Sequence, residues 1–140
     1  MGIDLFINFK GNCREAVEFY AEVFNTEKPQ IMSYGDTPPQ PGQEFQEFEE
    51  VKDMVMHASL NINGSIVMFQ DVLPVMPLTI GDNINLTLSM KDMEEIKSAF
   101  SKLREGGMVH MELQETFWSK LYGSVIDKFG IPWQFNYIDN

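Results

Sequence analysis

The sequence predicts an α+β fold made of two βαβββ modules, and three observations carry that prediction. The chain resembles itself when displaced by eighty positions. Each half opens with a strand pattern that runs into an amphipathic helix with its own start signal. Each helix is then followed by three strand-like runs, with turn glycines at Asn63-Gly64 and Phe129-Gly130 before the last of them.

Taken in order, Met1-Gly2-Ile3-Asp4-Leu5 leads directly into the first strand. Ala16, Val17, Tyr20, Val23 and Phe24 then recur at helical spacing behind Asn12…Glu15, the pattern of a capping box. Strands are predicted near 29–35, 54–63 and 65–71. Between them, Asp36-Thr37-Pro38-Pro39-Gln40-Pro41-Gly42 breaks regular structure, and 43–50 is acidic with two Phe. The stretch 36–53 is therefore read as a long flexible loop, either a lip over a pocket or a plain disordered connection.

The second half repeats the order. A strand is predicted over 83–90, and a helix follows from Asp92…Glu95 through Met93, Ile96, Phe100 and Leu103, ending at Gly106-Gly107. Strands near 107–115, 121–127 and 132–138 complete it. In the eighty-position alignment Asn12 falls on Asp92, Glu15 on Glu95, Ala16 on Ile96 and Tyr20 on Phe100. The modules are drawn at 1–75 and 80–140, together one domain over 1–140.

Composition narrows the function classes. With 44% hydrophobic residues, eleven Phe and ten Met in 140 positions, there is material for a packed core. No apolar run approaches the roughly 20 residues of a membrane helix, and the N-terminus lacks the features of a signal peptide. Cys13 is the sole cysteine, which rules out an intrachain disulfide and points to a reducing, cytoplasmic setting. The net charge of −11 argues against nucleic acid and anionic membrane as partners, leaving a neutral or cationic small molecule.

Strand alternation singles out candidate site residues. Asn83, Asn85, Thr87 and Ser89 share one side of their strand, His57, Ser59 and Asn61 share one side of theirs, and Gln134 and Asn136 oppose Trp133, Phe135 and Tyr137. Surface sheet faces usually carry Lys, Glu and Arg; this one carries amides, hydroxyls and a histidine. That inventory suits a recess that hydrogen-bonds a ligand without burying charge, although an open, hydrated face gives the same alternation. His57 is read either as a ligand-binding or acid/base group or as a histidine hydrogen-bonded within the face. His110, with Glu112 and Gln114, reads as a solvated edge. Gln70 and Asp71 end the fourth strand near the rim, and Cys13 reads as a packing residue.

Several strings match a known family in family order. They are Gly11-Asn12 leading into Glu15-Ala16-Val17-Glu18-Phe19-Tyr20, then Met56-His57-Ala58-Ser59-Leu60, Gly81-Asp82-Asn83, Gln114-Glu115-Thr116-Phe117-Trp118, and Tyr122-Gly123…Asp127-Lys128-Phe129-Gly130-Ile131-Pro132-Trp133. In these the chain resembles the PhnB-like branch of the vicinal oxygen chelate (glyoxalase/bleomycin-resistance/dihydroxybiphenyl dioxygenase) superfamily. The branch is often labelled 3-demethylubiquinone-9 3-methyltransferase-like.

The resemblance implies that the modules form a curved mixed-sheet cup and that the protein is a homodimer, with or without module exchange. It also implies metal-ligand positions on the first and last strand of each module, here Leu5, Met68, Asn85 and Gln134. None of the four suits a hard divalent cation, so no metal or other cofactor is expected. The methyltransferase label finds no glycine-rich strand-to-helix turn and no run of parallel β/α units behind it. Trp118 and Tyr122 are expected either to wall the pocket or to lock the dimer.

The expected function is thus metal-independent binding of a small molecule by Leu5, Ser59, Met68, Gln70, Asn83, Asn85, Thr87, Trp118, Tyr122 and Gln134. Two alternatives stand beside it. One is an enzyme of this fold acting on a small oxygenated substrate, with His57 as acid/base; the other is an acidic protein that sequesters a cationic drug.

Overall fold

The computed structural model describes residues 2–39, 41–42 and 44–139. They form two compact units, 1–78 and 79–140. Gln40 and Gln43, within the predicted loop, lie outside the described residues.

The first unit contains β1 (Leu5–Phe9), α1 (Cys13–Val23), β2 (Gln30–Ser33), a 3₁₀ turn (Tyr34–Asp36), α2 (Phe45–Val51), β3 (Val55–Ile62) and β4 (Ser65–Asp71). Its strands form one mixed sheet in the order β1-β4-β3-β2, with β1 parallel to β4 and the other pairs antiparallel. Ile7, Phe9, Ala58, Leu60, Val67 and Phe69 face Ala16, Val17, Tyr20 and Val23 of α1 in a buried layer, where the Tyr20 and Phe69 rings stack with centroids 5.9 Å apart. Asn63 and Gly64 both take positive φ, 52° and 90°, as the hairpin between β3 and β4 requires.

The second unit repeats the plan with β5 (Leu86–Met90), α3 (Met93–Leu103), β6 (Met108–Gln114), β7 (Tyr122–Ile126) and β8 (Pro132–Tyr137), in the order β5-β8-β7-β6. Leu88, Val125, Trp133 and Phe135 pack with Ile96, Phe100 and Leu103, and the Phe100 and Phe135 rings meet edge to face at 5.9 Å. The α+β architecture of paired βαβββ modules is present, as two four-stranded mixed sheets. Among the described residues, no helix is long and apolar enough to cross a membrane.

Two local features differ from the sequence reading. The stretch read as a loop holds the helix α2, with Val51 buried and Lys52 paired to Glu49 at 2.6 Å. Seven residues make only two turns, too few for a 3.6-residue period to stand out. The first capping box is also absent: the Asn12 side chain makes no capping bond. Instead the Asp71 carboxylate, 1% exposed, accepts from the Gly11 and Cys13 main-chain N–H groups at 2.7 and 3.1 Å, and from Val55 N–H at 3.0 Å. In the second unit Asp92 does cap α3, accepting from Glu94 and Glu95 N–H.

Candidate functional site

Register decides which residues share the face of each sheet away from its helix. In the first sheet Phe6 pairs with Met68, and Met68 with Ser59. In the second, Thr87 pairs with Gln134, and Gln134 with Ser124. Phe6 therefore corresponds to Thr87, and Leu5 to Leu86, an offset of eighty-one. The helices keep the offset of eighty, from Cys13 to Met93. The difference arises because three residues join β1 to α1 but only two join β5 to α3. A slip of one residue turns a strand's side chains to the opposite face. Leu5 thus lies on the helix side with Ile7 and Phe9, and Phe6 takes the place beside Met68.

The second sheet carries the more polar open face. Thr87 Oγ1 donates to Gln134 Oε1 at 3.2 Å, and His110 Nδ1 lies 3.2 Å from Ser124 Oγ. Asp82, Asn85, His110, Ser124 and Gln134 line a cavity of about 190 Å³. Asn85 sits one residue ahead of β5 and reaches this cavity; Asn83 and Ile84 lie before the strand, exposed, because pairing with β8 begins at Leu86.

The first sheet's open face is mixed. His57 is exposed and meets Phe6 edge to face, ring centroids 5.8 Å apart. Ser59 and Met68 are half-buried neighbours, and Gln70 Nε2 donates to Asn8 Oδ1 at 2.7 Å. Phe6, Met32 and Ile66 on this face are 40%, 46% and 56% exposed. Asp71, read from sequence as a rim residue, points instead into the core and ties the β1–α1 turn. Beside it Cys13 is fully buried; burial and the Asp71 charge push its thiol up to about 12, with Arg14 opposing. An unreactive packing residue is the consequence.

Trp118 and Tyr122 stand apart from the 190 Å³ cavity's lining. Their rings pack at 74° with centroids 5.2 Å apart, and Trp118 lines a larger open cavity, about 510 Å³, between the 115–120 segment and the end of β8.

The side chains do not fit a divalent metal. With register corrected, the positions on the first and last strands are Phe6 and Met68 in one unit and Thr87 and Gln134 in the other. A phenyl ring, a thioether, a hydroxyl and a carboxamide offer neither carboxylate nor imidazole. Among the described residues, no group of three or more His, Cys, Asp and Glu is placed to hold an ion. They do not fit a nucleoside-based methyl donor held at a helix start either. Asp71 engages the Cys13 N–H that opens α1 and Asp92 the Glu94 and Glu95 N–H groups of α3, and among the described residues each sheet has one parallel strand pair.

Sequence reasoning did not select His110, Ser124 or Asp82. The strands β6 and β7 pair irregularly, with shifts between Val109 and Met111 and between Met111 and Gln114. Strict alternation along β6 could therefore not show that His110 leans over Ser124. The available signal was Ser124 itself, two residues from Tyr122 and in line with Gln134.

Comparison with known proteins agrees with the fold. Across 99% of this chain and 96% of the relative, the sequence is 31% identical to Protein YjdN of Escherichia coli K12. It is 27% identical to the PhnB protein of Bacillus cereus, whose structure superposes with a TM-score of 0.76 over 99% of this chain and all of that one. A glyoxylase/bleomycin resistance protein/dioxygenase domain from Frankia, 12% identical, shares the fold at a TM-score of 0.66 over 98% of this chain and 91% of that one. Residues 2–136 match the family model described as 3-demethylubiquinone-9 3-methyltransferase, and the chain belongs to that family, with the fold of the PhnB and glyoxalase/bleomycin-resistance proteins.

Proposed function

We propose that the protein binds a small, neutral, oxygen-bearing molecule on the open face of its second sheet, without a resident metal. The supporting observation is the run of hydrogen-bonding groups at the 190 Å³ cavity: Asn85, Gln134, Ser124 and His110 line it with one carboxylate, Asp82, and Thr87 holds Gln134 from beside it. Amides and hydroxyls both donate and accept, so they match the carbonyl and hydroxyl groups of a neutral ligand. With Oε1 engaged by Thr87, Gln134 meets a ligand through its Nε2 donors. The Ser124 contact holds the His110 ring so that Nε2 is the nitrogen offered. The reading includes a homodimer, which the exposed Phe6, Met32 and Ile66 on the first sheet support.

The test is a screen of small hydroxyketones, diols and amides by two-dimensional NMR, joined to metal analysis of the purified protein. Binders are expected to shift the amide signals of Asn85, Thr87 and Gln134. The variant Gln134→Leu should weaken them about five- to tenfold, the worth of one or two neutral hydrogen bonds. Shifts confined to other surfaces, or stoichiometric zinc, nickel, iron or manganese in the protein, would overturn the proposal.

A further inference from the structure

We propose that the groove between the 115–120 segment and the end of β8 is a second binding site, built for a small organic cation that carries an aromatic ring and an N–H donor. Nothing in the proposed function uses this groove, whose lining is distinct from that of the 190 Å³ cavity.

Four observations converge on it. The first is its size, about 510 Å³, enough for a ligand of more than a few heavy atoms. The second is its aromatic wall. Phe117 is 97% exposed and Trp118 is 52% exposed, and their rings stand at 84° with centroids 4.7 Å apart. Tyr122 abuts Trp118 at 74°. Perpendicular packing spends the edge of one ring on the face of the next, so it presents a corner of π faces to an incoming group, the surface a cation or flat ring prefers.

The third observation is charge. Glu115 and Asp139 bring two carboxylates to the groove and Lys120 one ammonium, which lies 3.5 Å from Asp139 Oδ2. The groove is therefore negative on balance, in a molecule of net charge −11 whose field gathers cations. The fourth is Asn136, which lines the same groove and whose buried Oδ1 has no hydrogen-bond partner. A buried acceptor left unmatched is uncommon and costly; because Oδ1 is closed to solvent, a ligand N–H bonds it once the Asn136 side chain turns toward the groove. An anion meets the wrong charge here, and a neutral hydrocarbon leaves both the carboxylates and Asn136 unused.

The probes are phenethylammonium and its neutral counterpart 2-phenylethanol, titrated into the full-length protein at low ionic strength and followed by NMR. The indole N–H of Trp118 reports on the groove. That of Trp133, buried and bonded to Asp127 Oδ2 at 2.8 Å, is an internal control. The expected result is a shift at Trp118 and none at Trp133, with the cation bound at least about fivefold more tightly than the alcohol and its advantage reduced by added salt. Glu115→Gln should weaken the cation and leave the alcohol unchanged, whereas Trp118→Leu should weaken both. Equal affinity for the two probes would overturn the proposal. So would a protein dimer that buries Trp118 and excludes them. Shifts at Asn85 and Gln134 in place of Trp118 would also overturn it, while leaving the proposed function standing.

Discussion

Replacing Asp71 by alanine tests how the first unit is held together. The carboxylate spans three places in the chain: the β1–α1 turn through Gly11, the start of α1 through Cys13, and the start of β3 through Val55. Removing it leaves three main-chain N–H groups without their acceptor in a region where Cys13 and Val55 are fully buried. Each unmatched buried donor costs about 1–3 kcal/mol. Gly11 sits partly in solvent and recovers a water, so the two remaining donors put the loss for Asp71→Ala at about 2–6 kcal/mol. Against a typical domain stability of about 5–15 kcal/mol, that loss is large. Asp71→Asn keeps one carbonyl oxygen in place and should fall between alanine and wild type. Urea denaturation followed by circular dichroism gives the ranking. Gln70→Ala, one residue away on the exposed face, is the control and should stay within about 0.5 kcal/mol. A stability for Asp71→Ala within about 1 kcal/mol of wild type would show that the carboxylate does not organise the turn.

Two further outcomes follow from the same structure. An unfolded cysteine ionises near ~8.5, whereas Cys13 in the folded chain stays neutral up to about 12. Its contribution to stability is fully present below the unfolded value and is lost as pH rises from there toward 12. The urea midpoint of wild type should therefore fall more steeply between about pH 8.5 and 10.5 than that of Cys13→Ala; parallel curves would count against the burial argument. Zinc, nickel or manganese in excess should move the melting temperature by less than about 1 °C, because binding at a hundred times Kd is worth about 2.7 kcal/mol and several degrees. A larger rise with one ion taken up per chain would show that another donor set forms a site.

What the sequence revealed of the fold was whatever repeats or has a strong local signature. The helices α1 and α3 were visible because their apolar residues return every three or four positions over three turns, long enough for the period to be distinct. The hairpin at Asn63-Gly64 was visible because both residues tolerate the positive φ that it demands. By contrast, the support of α1 by Asp71 was hidden. The bond joins positions fifty-eight residues apart, and nothing local distinguishes a buried acceptor from a surface acid at a strand end. In the second unit Asp127, after β7, shows the same economy within a short span, accepting from Phe129 and Ile131 N–H and from the Trp133 indole.

The candidate site was legible in chemistry but not in position, and the reason is the length of one connection. The internal repeat is clearest in the helices, so they set the alignment, and an offset of eighty was carried back into the strands ahead of them. The first unit has Lys10-Gly11-Asn12 between β1 and α1 where the second has Lys91-Asp92. That extra residue is absorbed in the turn, where Gly11 takes φ +94°. In a helix a one-residue error rotates a side chain by about 100°, which a broad apolar face tolerates. In a strand the same error is a half-turn, so Leu5 moves from the open face to the core and Phe6 replaces it. The exchange leaves the four positions equally unsuited to a metal, because residue type decides that. Phe6 and Thr87 are no better as hard-cation ligands than Leu5 and Asn85. The set of neighbours on the open face does change with register. Thr87, not Asn85, is the register partner of Gln134, and the histidine beside their neighbour Ser124 is His110. His57 belongs to the first sheet, against Phe6. A variant series meant to probe the 190 Å³ cavity should therefore start from Gln134 and His110 in its lining and from Thr87, which holds Gln134, with His57 as the comparison.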